Sequence, residues 1–187
     1  MQLAEDEIND DEVTKVSSLK LKWALGLNYK IYNGVHNMTN KNRKEIFYVV
    51  GNTGVIYDYD NNSQRLLQGH VIWEFTQCNK ITCTGYNRER EIIVTADSGD
   101  DSMLVIWDAN TGVPKKTIFE PYPKGVMALD ISLDGSYIVT LSKAEQIEDQ
   151  MVTLWRWEDE DPIFSSNQFH PEIKCIQRFV KFNDSQN

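Results

Sequence analysis

The chain has 187 residues, enough for one domain with a buried core, and its 41% hydrophobic and 25% charged content excludes collagen, a coiled coil and a wholly disordered chain. A formal net charge of -9 argues against a nucleic-acid backbone or an anionic membrane surface as the main partner, because both require a basic face. No stretch approaches the roughly 20 apolar residues of a membrane span.

In chain order, Glu5, Asp6, Glu7, Asp10, Asp11 and Glu12 crowd the first twelve residues without a base, so residues 1–18 read as an acidic disordered tail. This start does not have the basic-then-apolar form of a signal peptide. With no secretory route indicated, the sequons at Asn37, Asn61 and Asn183 are read as chance, and the odd count of three cysteines (Cys78, Cys83, Cys175) as reduced intracellular thiols.

From there onward no segment keeps a helical apolar period. Short runs rich in β-branched and aromatic residues recur instead: Ile46–Val50, Val55–Tyr57, Glu91–Thr95, Met103–Trp107, Tyr137–Leu141 and Val152–Trp155. Between them stand Gly51-Asn52-Thr53-Gly54, Asp60-Asn61-Asn62, Asn110-Thr111-Gly112 and Asp134-Gly135. These are strand and hairpin signals, and they predict an all-β chain.

The pattern repeats. Ile56-Tyr57-Asp58, Ile106-Trp107-Asp108 and Leu154-Trp155-Arg156 are similar strand ends whose aromatics lie 50 and 48 residues apart. Each is followed by a turn and a weaker strand: Arg65–Leu67, Thr117–Phe119 and Ile163–Phe164. A four-stranded unit recurring at this length is the sequence signature of a propeller blade. The expected division is a divergent blade over 19–68, blades over 69–120 and 121–168, and the start of a fourth over 169–187. Closed propellers have about 4–8 blades, so three and a fragment leave the ring to be completed by further sequence or another chain.

No nucleophile elbow, phosphate loop, dinucleotide fingerprint or zinc-protease motif occurs, so no enzymatic activity and no cofactor or metal are expected. Cys78 and Cys83 have the wrong spacing for a zinc knuckle. Asp97-Ser98-Gly99-Asp100-Asp101-Ser102 has the form of a phosphodegron but reads better as an enlarged turn. Ile176-Gln177-Arg178-Phe179 begins like a calmodulin-binding helix and reads better as a strand. Lys41, Arg43 and Lys44 read as a solvated basic loop. The run Glu158-Asp159-Glu160-Asp161 reads as a turn able to meet a basic partner.

Gly69-His70, followed 37 residues later by Trp107-Asp108, resembles a WD repeat. The resemblance implies a hydrogen-bonded cluster of His, Asp, Thr or Ser, and Trp inside each blade. The matching positions are His70, Thr95, Asp101 and Trp107, then Thr140, Asp149 and Trp155, where Pro121-Tyr122-Pro123-Lys124 displaces the histidine. His170 before Pro171 resembles a fourth opening.

The segments Leu21–Asn28, Leu67–His70, Thr95–Phe119 and Leu154–Trp157 further resemble the cilia- and flagella-associated protein 251 family, the WD-repeat subunits of the calmodulin- and spoke-associated complex. That resemblance implies a non-enzymatic scaffold in the axoneme of a motile cilium or flagellum, at the base of a radial spoke, the third being favoured. Its partners would be other spoke-base proteins and calmodulin, in a large hetero-assembly of the cytoskeleton. The alternative is a microtubule-associated or general adaptor propeller.

Overall fold

The computed structural model describes residues 22–68, 79–159 and 161–183. The acidic head, the Gly69–Cys78 stretch with His70, and Glu160 lie outside the described residues. The described chain is all-β apart from one short 3₁₀ turn, Ile147–Asp149.

Among the described residues twelve strands form three four-stranded antiparallel sheets. The first holds β1 (Val35–Asn37), β2 (Glu45–Val50), β3 (Thr53–Asp58) and β4 (Ser63–Gln68). The second holds β5 (Ile81–Asn87), β6 (Ile92–Asp97), β7 (Met103–Asp108) and β8 (Pro114–Phe119). The third holds β9 (Val126–Ile131), β10 (Tyr137–Ser142), β11 (Val152–Arg156) and β12 (Pro162–Ser166). Spatial order follows chain order in every sheet, so each is a meander built by short turns.

The turns explain themselves chemically. Asp58 Oδ1 accepts from the backbone amides of Asp60 and Asn61, and Asp108 Oδ1 from those of Asn110 and Thr111. These side-chain turns fold the third strand back into the fourth. Each loop then passes through a left-handed residue at the same place, Asn62 at φ 48° and Gly112 at φ 74°.

The sheets stack face to face. Phe47, Val49, Ile56 and Leu67 of the first sheet share a core with Ile93, Val105 and Trp107 of the second. On its other face the second sheet sets Ile92, Val94, Leu104 and Ile106 against Leu129, Ile138 and Trp155 of the third. The second sheet is therefore covered on both sides, which is why every residue of β6 is buried rather than alternating. Each fully buried Ile or Phe side chain contributes roughly 1.5–3 kcal/mol. At the join, β5 and β9 approach so closely that a Cβ on Gly85 would lie 2.9 Å from both Leu129 and Ile131.

The flanking segments brace the outer sheets. The side chain of Gln64 on β4 pairs with both backbone groups of Ala24, at 2.8 and 3.1 Å, and Trp23 stands edge-on to Tyr57. Residues 167–183 form no strand. Instead the buried Gln150 side chain acts as a ladder rung: its Oε1 accepts from the Gln177 amide at 2.7 Å and its Nε2 donates to the Gln177 carbonyl at 2.9 Å. Asp130 accepts from Lys181 Nζ and the Phe182 amide. Residues 177–182 thus run beside β9 without joining its sheet.

Candidate functional site

In the second sheet, β6 and β7 pair with Ile93 opposite Trp107 and Thr95 opposite Val105. This register carries the Trp107 indole to the Thr95 hydroxyl, and Nε1–H donates to Oγ1 at 2.8 Å, buried. In the third sheet Trp155 donates to Thr140 Oγ1, also at 2.8 Å and buried. Both tryptophans face the preceding sheet. A bulky ring fills the gap between sheets while its one polar group is satisfied within its own sheet.

The third sheet adds a residue that sequence reasoning did not use. Tyr122 is buried, and its hydroxyl lies 2.7 Å from Thr140 Oγ1 and 3.2 Å from the Thr140 carbonyl. Burial raises its pKa, so it stays a neutral phenol. The Pro-Tyr-Pro junction therefore lacks a histidine yet still delivers a polar tip to the Thr–Trp pair. His70, expected beside Thr95, lies outside the described residues.

The two aspartates expected in the clusters are not there. Asp101 and Asp149 are both exposed, and Asp101 sits at φ 54°. Their successors turn inward instead: Ser102 donates to the Tyr122 carbonyl at 3.2 Å, and Gln150 reaches Gln177. The polar group near each pair is the one that closes the second strand. Asp97 Oδ1 accepts from the Met103 amide at 2.7 Å, and Ser142 Oγ accepts from the Met151 amide at 2.8 Å. Each lies two residues after its threonine and ties the start of the third strand across the enlarged turn. Burial pushes the Asp97 carboxyl up to about 6, against the lowering effect of the Met103 amide.

The first sheet lacks the pair. Tyr48 and Tyr57 occupy the places of the threonine and tryptophan by register, and their hydroxyls go to Gln64 and Asn62.

The basic loop is not merely solvated. Buried Glu45 holds Arg65 NH1 at 2.6 Å and Arg43 Nε at 3.5 Å. Arg43 then reaches Asn110 at 2.6 Å and the Tyr86 hydroxyl at 3.0 Å, and Arg65 reaches the Ala109 carbonyl at 3.3 Å. These two arginines clamp the first sheet to the second. Lys41 is exposed and Lys44 pairs with Asp60 at 3.0 Å.

The acidic turn is exposed at Glu158, Asp159 and Asp161. Glu158 stands 3.8 Å from Arg90 and Asp159 3.8 Å from Arg156, loose exposed pairs of small value. Ser102 is too buried to be modified as a degron serine. Ile176–Phe179 is neither helical nor the strand expected there: it has no ladder partner in the third sheet and is tied through the Gln177 backbone to Gln150. Cys83 is buried with its thiol pushed up to about 12, Cys175 is exposed, and neither forms a disulfide; Cys78 lies outside the described residues. Among the described residues no three His, Cys, Asp or Glu side chains gather as a metal site, and no helix is long and apolar enough to cross a membrane.

The chain was compared with known families and proteins. The family profile described as CFAP251 N-terminal domain matches residues 19–187. Cilia- and flagella-associated protein 251 of Tetrahymena thermophila is 54% identical over the whole chain, which covers 19% of that protein. The protein of the same name from Chlamydomonas reinhardtii is 36% identical over 74% of the chain and 16% of its own length. That from Pongo abelii is 31% identical over 95% of the chain and 14% of its own length. The chain thus spans about a fifth or less of these curated relatives. The match over nearly its whole length, falling on the stretch that carries the stacked sheets and their Thr–Trp pairs, places this chain in the cilia- and flagella-associated protein 251 family, at its N-terminal domain.

Proposed function

We propose that this chain forms successive blades of a WD-repeat β-propeller and acts as a non-enzymatic scaffold of the motile-cilium axoneme. Its place is the base of a radial spoke, the third in the series, where it supports regulated beating. The observation that carries the reading is the recurrence of one buried Trp–Thr bond at the same register in two sheets that stack face to face. Meanders stacked in this way make a stiff body whose turns and rims are free to meet several neighbours at once. The family name, cilia- and flagella-associated, supplies the compartment.

The partners are other subunits of the calmodulin- and spoke-associated complex, with calmodulin among them. Glu158–Asp161 is the rim turn offered to a basic neighbour, and its loose ion pairs with Arg90 and Arg156 are exchanged at small cost. The test of the placement is the position of a tagged copy in ciliated cells. A signal along the axoneme at the spoke repeat supports the reading. A diffuse cytosolic signal overturns it and favours a general adaptor.

A further inference from the structure

The first strands of all three sheets, with residues 178–181, line one open cavity of about 760 Å³, in the size range of ligand sites. Its charge opposes that of the chain. Lys30, Lys80, Arg178 and Lys181 line it against a single carboxylate, Asp130, which Lys181 already holds at 3.0 Å. Among the described residues Lys30, Lys80 and Arg178 form no ion pair and are exposed. His36 on the wall is kept neutral by burial and by Lys181, its pKa down at about 4, so the basic character rests on the lysines and the arginine. Val35 and Phe179, 52% and 59% exposed, add apolar surface beside them. In a chain of net charge -9 this concentration of bases is a local inversion of sign.

We propose that this cavity is the docking site of the chain's own acidic head, residues 5–12. The head brings Glu5, Asp6, Glu7, Asp10, Asp11 and Glu12 with no base among them, and Ile8 in their midst to meet the apolar wall. Reach permits it. Ala24 is fixed at Gln64 on the outermost strand of the first sheet, three strand spacings or about 15 Å from the innermost strand that lines the cavity. The nine residues 13–21 span up to about 30 Å when extended. The contact is a self-occupied basic groove, so an acidic segment of another protein gains access only by displacing the head.

Zero-length carbodiimide cross-linking in permeabilised cells that express the whole protein tests this, with tryptic mass spectrometry as the readout. No Lys or Arg separates the six head carboxylates, so they stay on one tryptic peptide, the one that ends at Lys15. The expected result is that this peptide joins Lys30, Lys80 or Lys181 at least fivefold more often than it joins exposed Lys41 or Lys115. Raising the salt from 0.05 to 0.5 M should cut those links severalfold, because the pairing is electrostatic. Arg178→Gln with Lys80→Gln should cut the links to Lys30 and Lys181, while leaving the Lys41 background unchanged. Links spread evenly over all exposed lysines overturn the proposal. So do links formed only between a tagged and an untagged copy, which make the occupant a second chain, and cavity lysines joined to a foreign acidic peptide instead of the head.

Discussion

Thr140 accepts two buried donors, the Trp155 indole and the Tyr122 phenol, and its own hydroxyl points to the Thr153 carbonyl at 3.4 Å. Thr140→Val removes the hydroxyl acceptor and leaves the Trp155 N–H dry, while the Tyr122 phenol keeps the Thr140 carbonyl at 3.2 Å, so it should cost about 1–3 kcal/mol for the one unpaired group. Tyr122→Phe removes a phenol that bonds both the Thr140 hydroxyl and its carbonyl, so it should cost less in the Thr140→Val background than alone, and denaturant midpoints of the two variants and the double variant measure the coupling. Strictly additive losses would show that the phenol and the Thr140 hydroxyl do not stabilise one another. Trp107→Ala should cost more, about 3–5 kcal/mol, because a ring is lost from between two sheets. Asp97 gives a pH signature. Burial raises its folded pKa to about 6, above the ordinary carboxylate value of 3.8, so the folded state binds the proton more tightly. The stability it contributes is present below about pH 4 and is lost as pH rises through 6. Asp97→Asn should therefore flatten the stability profile between pH 4 and 6 and raise stability at pH 7 by about 1–2 kcal/mol, provided the Met103 amide keeps an acceptor. An unchanged profile would mean that the carboxyl is solvated.

At the scale of the element, sequence and structure agree where side chains alone decide the backbone. The β-branched runs at Ile46–Val50, Ile92–Thr95 and Tyr137–Leu141 became β2, β6 and β10, and the Asn, Asp and Gly clusters became their turns. The innermost strands were not legible. β1 is three residues long, and β5 reads Ile-Thr-Cys-Thr-Gly-Tyr-Asn, so tertiary pairing and not local propensity makes them extended. The Thr–Trp pairs were expected from the resemblance to a WD repeat, and strand register is what brings each pair together. The aspartates were misplaced because Asp101 and Asp149, taken from the resemblance, lie beyond the end of the second strand, where both are exposed and Asp101 is left-handed. The available signal was the polar residue two after each threonine, Asp97 and Ser142. Arg43 looked solvated because its partners, Asn110 and Tyr86, are remote in sequence. Glu45 is the centre of that clamp. Glu45→Ala strands Arg43 and half-buried Arg65 and should destabilise by about 3–5 kcal/mol, with amide exchange accelerating first in β1–β4. Exchange that accelerates equally in all three sheets would contradict a clamp confined to the first and second.

The whole molecule is a stack in which each sheet leans on the one before it. The second sheet has both faces covered, the outer face of the first is braced by Trp23 and Ala24, and β9 of the third has residues 177–182 beside it. A stack of this kind has two ends, and ends are where a scaffold is continued or gripped. The chain's membership of the cilia- and flagella-associated protein 251 family places it in the context of cilia and flagella. The proposed seat at a spoke base makes a mechanical claim: removing the subunit disturbs beating without abolishing a chemical step. Deleting the gene in a ciliated cell and imaging the axoneme by cryo-electron tomography tests this most directly. The third spoke should be missing or loosened at its base and the waveform impaired; intact spokes at every position with a normal waveform would contradict a seat at the spoke base.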